Sequence, residues 1–165
     1  MEMLDIEQKV YDKLDELGIE YSVIEHEPLF TADDLNSIKD KTEGIHCKNL
    51  FLRNAKGNKY YLYTCKDDAQ VDVKGLKDKF ASTRLSFASE DRLMKVLGLK
   101  TGSVNPFALA NDQEKVVEFF IAKDVLNGEK LNFHPNINTK TVTIGEEDFK
   151  KYLDSIGVTM NIVTP

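Results

Sequence analysis

A lysine near the start of an apolar strand pattern is the first residue of this chain that could do chemistry. In the stretch CKNLFLR, residues 47–53, Lys48, Leu50 and Leu52 occupy every second position, so in a strand their three side chains share one face. His46 joins that face if the strand begins earlier. An ammonium in this setting indicates a task in binding or catalysis. The alternative is a lysine at the exposed start of the strand, whose stem covers apolar surface while its ammonium stays in water.

A glycine and proline loop near the middle of the chain is the second candidate. Glycine lets a backbone approach a ligand closely, consecutive N–H groups can point at one oxygen, and proline stiffens the exit. The loop therefore suits the binding of a carbonyl oxygen or an oxyanion, although the same spacing also occurs in an ordinary turn after a helix. This loop, named the loop 102–106, consists of Gly102, Ser103, Val104, Asn105 and Pro106.

Other reactive side chains give weaker signals. Pro135 holds His134 extended and so fixes the direction of its imidazole, but a structural histidine before a turn fits equally well. The chain has no G-x-S-x-G elbow and no local Cys/His signature, and Cys47 should point away from the face of Lys48. Its two cysteines and three histidines have no metal-binding spacing. We therefore expect no bound metal, no cofactor and no side-chain nucleophile.

The composition is that of an ordinary globular protein. Of 165 residues, 41% are hydrophobic and 30% charged, enough to bury one core without disulfides. No stretch reaches the length of a membrane span and the N-terminus lacks a signal-peptide pattern, so the expected location is the cytoplasm. The net charge of -6 argues against a protein that coats nucleic acid nonspecifically, because such coating requires clustered cations.

Two helices have clear boundaries in the sequence. Apolar residues at helical spacing predict a first helix over residues 5–17, in which Asp5 and Gln8 form a capping box. Ser89 caps a later helix, acids follow in its first turn, and Gly98 ends it. The second helix therefore leads directly into the loop 102–106.

The clearest hairpin joins residues 47–53 to residues 59–65. Three tyrosines in its second strand could form a stacking platform for bases, but we favour packing in the core. Strands and helices mix along the chain without regular alternation. This order predicts a single α+β domain over residues 1–165, with a mixed, curved β-sheet surrounded by helices.

Four pieces of the sequence, taken in order, resemble the YbaK family. They are KNLFL at residues 48–52, the Gly-x-x-x-Pro loop, His-Pro at residues 134–135 with Asn-Thr at 138–139, and TVTI at residues 141–144. That family groups the insertion domain of bacterial prolyl-tRNA synthetases with free-standing aminoacyl-tRNA editing deacylases. The chain is most similar to the members that hydrolyse alanine wrongly attached to proline tRNA. The resemblance implies the same α+β architecture.

The resemblance also implies roles for individual residues. Lys48 and Gly102 are the expected catalytic residues: the lysine holds the terminal adenosine or its phosphate, and the loop of the glycine positions the ester and the attacking water. A ribose hydroxyl of the terminal adenosine would help to activate that water, so no side-chain base is needed. The expected substrate-binding residues are Asn49, Ser103, Val104, Asn105, Pro106, His134 and Arg84.

The implied partner is the acceptor end of proline tRNA, bound weakly and salt-sensitively by a local basic patch. Prolyl-tRNA synthetase or an elongation factor would be transient partners, and neither DNA nor membrane is expected. Cysteine, serine or another small amino acid stays open as the substrate, as do a non-catalytic sensor and a structural interaction domain. A tight pocket would admit alanine and reject proline. Its expected wall is Phe30, Leu35, Ile45 and Val104, the first two near a short helix from Thr31.

Overall fold

One mixed β-sheet of eight strands carries the rest of the chain. The computed structural model describes residues 2–28, 38–39 and 41–165, so the helix predicted at Thr31 lies outside the described residues. The strands are β1 (Tyr21–Glu25), β2 (Ile45–Arg53), β3 (Tyr60–Lys66), β4 (Ser86–Phe87), β5 (Val117–Ala122), β6 (Leu131–Phe133), β7 (Lys140–Ile144) and β8 (Met160–Val163). The helices are α1 (Glu2–Glu16), α2 (Val73–Lys79), α3 (Glu90–Leu97) and α4 (Glu146–Ser155), with 3-10 helices at Pro106–Asn111 and Lys123–Val125.

The sheet combines antiparallel and parallel neighbours. Its order is β1-β7-β6-β2-β3-β5-β8, and β4 pairs with β2. The pairs β2/β6, β3/β5 and β5/β8 are parallel, whereas β1/β7, β6/β7, β2/β3 and β2/β4 are antiparallel. This arrangement confirms the predicted α+β domain with a mixed sheet. In the part of the chain that the structure describes, no helix is long and apolar enough to cross a membrane.

Helix boundaries mostly follow the capping signals. Ser89 Oγ accepts the backbone N–H of Arg92 at 3.2 Å, and Gly98 ends α3 in the left-handed conformation, as predicted. The predicted capping box at Asp5 is wrong, because α1 already begins at Glu2. A carboxylate near the helix start is still favourable through the helix dipole. An acid near a predicted helix start is therefore compatible with either the cap or the first turn of the helix.

Most helices pack on one face of the sheet, which carries Phe119 and Phe133 and is named the helical face. Phe107, in the first 3-10 helix, packs edge-on against Phe133 and Tyr152, with ring centres 5.8 and 5.2 Å apart. Phe119 packs edge-on against Phe149 of α4 at 6.0 Å. Helices α1, α3 and α4 all contribute to this core. Burial of these large rings is the main stabilising term on this side.

Helix α2 covers the opposite face only over β3 and β5. Phe80, which follows α2, stacks on Tyr61 and Phe120 with ring centres 5.4 and 4.0 Å apart. Tyr61 and Tyr63 are only 3% and 2% exposed. The tyrosines of β3 are therefore core residues, as favoured from the sequence. The other half of this face, over β1, β7, β6 and the first half of β2, carries polar side chains.

Candidate active site

A buried polar surface occupies the half of the sheet that α2 leaves uncovered. Its centre consists of Asn132 on β6 and Thr141 and Thr143 on β7, all buried. Thr143 Oγ1 donates to Asn132 Oδ1 at 2.6 Å, and Asn132 Nδ2 donates to the backbone carbonyl of Ile45 at 3.1 Å. These bonds satisfy the buried groups and connect β7, β6 and β2. We name this surface, together with the histidines and Lys48 described next, the polar face.

All three histidines of the chain lie on the polar face. His26 follows β1 directly, its Nε2 lies 2.8 Å from Thr141 Oγ1, and its ring centre is 6.0 Å from that of His134. His46 on β2 is buried, with Nε2 2.6 Å from Thr42 Oγ1. Within the described ranges, however, His, Cys, Asp and Glu form no group of three that could hold a metal ion.

Burial keeps His46 neutral. It lowers the pKa of this histidine below the usual 6.5, because a poorly solvated site disfavours the imidazolium. Asp67 opposes the shift, whereas Lys39 and His134 add to it. Lys39 Nζ and Asp67 Oδ2 form an ion pair at 2.7 Å. The surroundings of His46 therefore contain both signs of charge, and burial decides its state.

His134 is oriented as a hydrogen-bond acceptor. Its Nδ1 lies 3.0 Å from the backbone carbonyl of Lys140, and a carbonyl can only accept, so Nδ1 carries the proton. Burial lowers the pKa of His134, the bond to Lys140 opposes that shift, and His26 adds to it. The neutral ring consequently presents the lone pair of Nε2 to a hydroxyl or a water.

Lys48 lies on the same face, two residues after His46. Strand β2 begins at Ile45, earlier than predicted, so Lys48 is its fourth residue and is half-buried. The ammonium donates to the backbone carbonyl of Ala69, and this bond uses one of its three donors. Lys48 is therefore not a lysine at an exposed strand start. It is a cation held in a defined position.

Both cysteines are unsuited to nucleophilic attack. The β2/β3 register sets Cys47 opposite Lys66 and Cys65 opposite Lys48, so the two thiols face opposite sides of the sheet and are free. Burial raises the pKa of Cys47 well above its usual range and that of Cys65 to about 11. Because the thiolate is the reactive form, both groups are inert at neutral pH.

A gap in the sheet lies beside Lys48. One edge of β2 pairs with β6 at residues 45–46 and with β4 at residues 52–53. Strand β6 ends at Phe133, and β4 has only two residues. Among the described residues, the middle of β2 therefore has no neighbouring strand on this edge.

Backbone groups of Asn49 project into this gap. On the same edge of β2, the N–H of Ile45 donates to the carbonyl of Lys130 at 2.8 Å, and the carbonyl of Phe51 accepts the N–H of Ala88 at 3.0 Å. Alternate residues of a strand direct their backbone groups to the same edge, and Asn49 is in phase with both. Its N–H and carbonyl can thus bind a ligand as a neighbouring strand would.

The loop 102–106 is anchored to the turn that follows β6. Gly102 has a φ of 92°, which favours glycine over residues with a side chain. Asn105 is fully buried, and its Nδ2 donates to the carbonyl of Ser103 at 2.8 Å and to Asn136 Oδ1 at 2.9 Å. This amide bridge holds the loop against the turn on one side of the gap.

Two backbone N–H groups of the loop suit an oxyanion clamp. The N–H of Ser103 already donates to the carbonyl of Lys100 at 3.1 Å, so the clamp would use the N–H groups of Val104 and Asn105. Pro106 begins the 3-10 helix and fixes the exit. Asn105 Oδ1 is buried without a partner among the described residues, an acceptor that a bound ligand would satisfy.

Comparison with known proteins assigns the family. Residues 26–152 match the family model of the aminoacyl-tRNA editing domain. The chain belongs to the aminoacyl-tRNA editing domain family. The family resemblance read from the sequence is therefore confirmed, and with it the prediction of an editing enzyme.

Two relatives and one solved structure agree with this assignment. The prolyl-tRNA editing protein ProX of Acetoanaerobium sticklandii is 42% identical over 160 residues, which cover 97% of this chain and 98% of the relative. The prolyl-tRNA synthetase associated domain-containing protein 1 of Bos taurus is 32% identical over 149 residues, covering 88% and 86%. The crystal structure of a candidate trans-editing enzyme for prolyl tRNA synthetase superposes with a TM-score of 0.70 at 15% identity, covering 97% of each chain, a likeness of fold.

The predicted site residues of this editing domain lie on both faces of the sheet. Lys48 and His134 both lie on the polar face. The side chain of Asn49 points to the helical face, where its Oδ1 accepts from Thr64 Oγ1 at 2.5 Å. The loop 102–106 lies on that face too, since Val104 packs with the core there.

Arg84 lies apart from both groups. It is exposed and precedes β4, which pairs with β2 at Leu52 and Arg53. Arg53 is five positions after Lys48, about 17 Å along the strand at about 3.3 Å per residue. The structure therefore does not bring Arg84 together with Lys48.

Most of the polar face was not predicted from the sequence. Asn132, Thr141 and Thr143 alternate with apolar residues, and this alternation was the available signal. Of the predicted pocket wall, Ile45 and Val104 are half-buried against the main core. Phe30 and Leu35 lie outside the described residues.

Proposed function

We propose that this protein acts in trans on proline tRNA and hydrolyses the ester of wrongly attached alanine. The family supports an editing reaction, and the 42% identity over 97% of the chain to a prolyl-tRNA editing protein supports the choice of tRNA. The position of Lys48 carries the proposal. Its half-buried ammonium lies on the polar face, beside a gap that exposes the backbone of the next residue.

Lys48 binds the terminal adenosine or its phosphate in this proposal. The bond to the carbonyl of Ala69 positions the ammonium before substrate arrives, which lowers the entropy lost on binding. His134 accepts a hydrogen bond from a ribose hydroxyl through Nε2, and Asn49 offers its backbone N–H and carbonyl to the tRNA end. These contacts orient the ester without contributing a base.

Water is the nucleophile. Its oxygen attacks the ester carbonyl carbon, the bond from that carbon to the ribose oxygen breaks, and the ribose oxygen takes a proton. The neighbouring ribose hydroxyl of the same adenosine assists in activating the water. The N–H groups of Val104 and Asn105 stabilise the oxyanion. The raised pKa of both thiols favours this route over attack by cysteine.

Selection of alanine over proline is a matter of size. One methylene changes binding in an apolar pocket by only about 1–3 kcal/mol, whereas a close-packed wall excludes a larger residue by clash. Ile45 and Val104 are the described residues proposed for that wall. Cysteine and serine are nearly as small as alanine, so their esters are the competing substrates.

The test is a panel of four esters with purified wild-type protein at low salt. Alanyl-, cysteinyl-, seryl- and prolyl-tRNA(Pro) are compared, each with and without a chelator. The proposal expects rapid hydrolysis of the alanyl ester, at least about tenfold slower hydrolysis of the prolyl ester, and no effect of the chelator. Faster hydrolysis of the cysteinyl or seryl ester would change the assigned amino acid. Binding of tRNA without hydrolysis would favour the sensor.

Prolyl-tRNA synthetase and an elongation factor stay the predicted transient partners, because both handle the same charged tRNA. The cytoplasm stays the predicted location for the same reason. Pull-down of the synthetase with this protein at low salt checks the first point.

A further inference from the structure

Phe87 is an exposed aromatic residue whose backbone is paired in the sheet. It is 61% exposed, more than any other large hydrophobic residue that the structure describes. It pairs with Leu52, and the next residue, Ala88, donates its N–H to the carbonyl of Phe51 at 3.0 Å. Single exposed hydrophobic residues are common, so the exposure of Phe87 is not informative by itself, whereas its position in the sheet is.

The register places this ring in line with Lys48. Leu52 lies four residues after Lys48 on the same face of β2, and paired residues of neighbouring strands share a face. The spacing along the strand is about 13 Å at about 3.3 Å per residue. Phe87 therefore faces the same side of the sheet as Lys48, beyond the end of the gap that is opposite His134.

We infer that Phe87 stacks on an unpaired base of the tRNA 3′ end, just before the terminal adenosine. This inference rests on the proposed function. Every tRNA ends in the unpaired sequence C-C-A, and with the adenosine at Lys48 the preceding cytidines pass over the same face of the sheet. Unpaired bases are bound through their faces by aromatic side chains, which requires no base-specific hydrogen bond.

One exposed cation close to Phe87 suits a phosphate of such a strand. Arg84 lies just before β4 and is exposed. Arg53 faces the other side of the sheet, since it pairs with Ser86 and not with Phe87, and its guanidinium donates to the carbonyls of Asn54 and Ala55.

The first test uses fluorescence. The chain has no tryptophan, so Phe87→Trp introduces a single reporter. Its emission should be quenched saturably by uncharged proline tRNA and much less by the same tRNA without its C-C-A end. The matched control is Ile162→Trp, which replaces a 53% exposed residue on β8 at the far edge of the sheet and should not respond.

The second test separates stacking from a structural role. Phe87→Ala should raise KM for alanyl-tRNA(Pro) about five- to a hundredfold and leave kcat nearly unchanged, because the lost contact is remote from the ester. Phe87→Tyr should restore KM. Hydrolysis of the alanyl ester of adenosine alone, which lacks the cytidines, should be unchanged in both variants.

Two results would overturn the inference. One is a Phe87→Trp emission that stays constant while labelled tRNA reaches saturation by anisotropy. The other is a Phe87→Ala variant with wild-type KM. Failure of the proposed function looks different, because wild type would then hydrolyse no ester although Phe87→Trp still responds to tRNA.

Discussion

Burial and ion pairing decide the charge of individual side chains on and around the polar face. Burial lowers the pKa of both His46 and His134, so these two histidines act as neutral hydrogen-bonding groups. Lys48 and Lys39 supply positive charge, and Lys39 already pairs with Asp67. The residue best placed to attract an anionic tRNA end is therefore Lys48.

The lowered pKa of His46 predicts a loss of stability in mild acid. The unfolded chain takes up a proton near pH 6.5, whereas folded His46 resists protonation, so the stabilisation present above pH 6.5 is lost as the pH falls below it. Urea unfolding at pH 7.5, 6.5 and 5.5 should show a falling midpoint for wild type and a smaller fall for His46→Gln. Equal falls in both proteins would contradict this assignment.

The face on which a side chain lies could be predicted from the sequence where the alternation along one strand is enough to decide it. The alternation placed Lys48 and Cys47 on opposite faces, and the register agrees. It did not reveal that Asn132 and Thr143 would meet His46 on one surface, because that requires the pairing of β6 with both β2 and β7. Such pairing depends on distant segments rather than on local pattern.

Among the elements, we propose the loop 102–106 and the gap in the sheet as the two parts of the site. The amide bridge from Asn105 to Asn136 makes the loop part of the same rigid unit as the end of β6. A change that displaces the loop should therefore reduce activity more than stability.

Gly102→Ala tests this coupling against a matched glycine. Gly102 and Gly128 have φ values of 92° and 88°, so alanine imposes similar backbone strain at both, about 1–2 kcal/mol. Gly128 lies in a turn before β6, where an added Cβ meets nothing within 4 Å. We expect similar losses of urea stability in the two variants, and a loss of alanyl-tRNA(Pro) hydrolysis only in Gly102→Ala. If the Gly102 and Gly128 variants hydrolyse the ester equally fast, the loop 102–106 is not part of the site.

Elements were predicted better than their pairing. The β2/β3 hairpin and the cap of α3 follow from local signals, and both formed as predicted. The gap could not be predicted, because it arises where β6 and the two residues of β4 share one edge of β2. The start of α1 was misplaced because Asp5 resembles a cap while lying inside the helix.

The whole molecule carries a net charge of -6, so it should repel RNA except at a local cationic path. Lys48 on β2 and the exposed Arg84 just before β4 are the cations proposed for such a path. The expected binding mode is therefore weak, local and dependent on ionic strength.

Salt should affect the tRNA substrate selectively. For two or three phosphate contacts, KM for alanyl-tRNA(Pro) should rise on the order of tenfold between about 50 and about 200 mM salt. The alanyl ester of adenosine has no such phosphates, so its KM should stay nearly constant over the same range. A salt-independent KM for the tRNA would argue against the cationic path.

The most direct test of the central claim is the initial rate of alanyl-tRNA(Pro) hydrolysis by wild type, Lys48→Ala and Lys77→Ala. Lys77 is an exposed lysine on α2 and serves as the matched control. With folding verified by circular dichroism, we predict a loss of about a hundredfold or more in Lys48→Ala, the scale of a removed electrostatic contact in an active site. Lys77→Ala should match wild type. A Lys48→Ala variant that hydrolyses the ester at the wild-type rate would contradict the account.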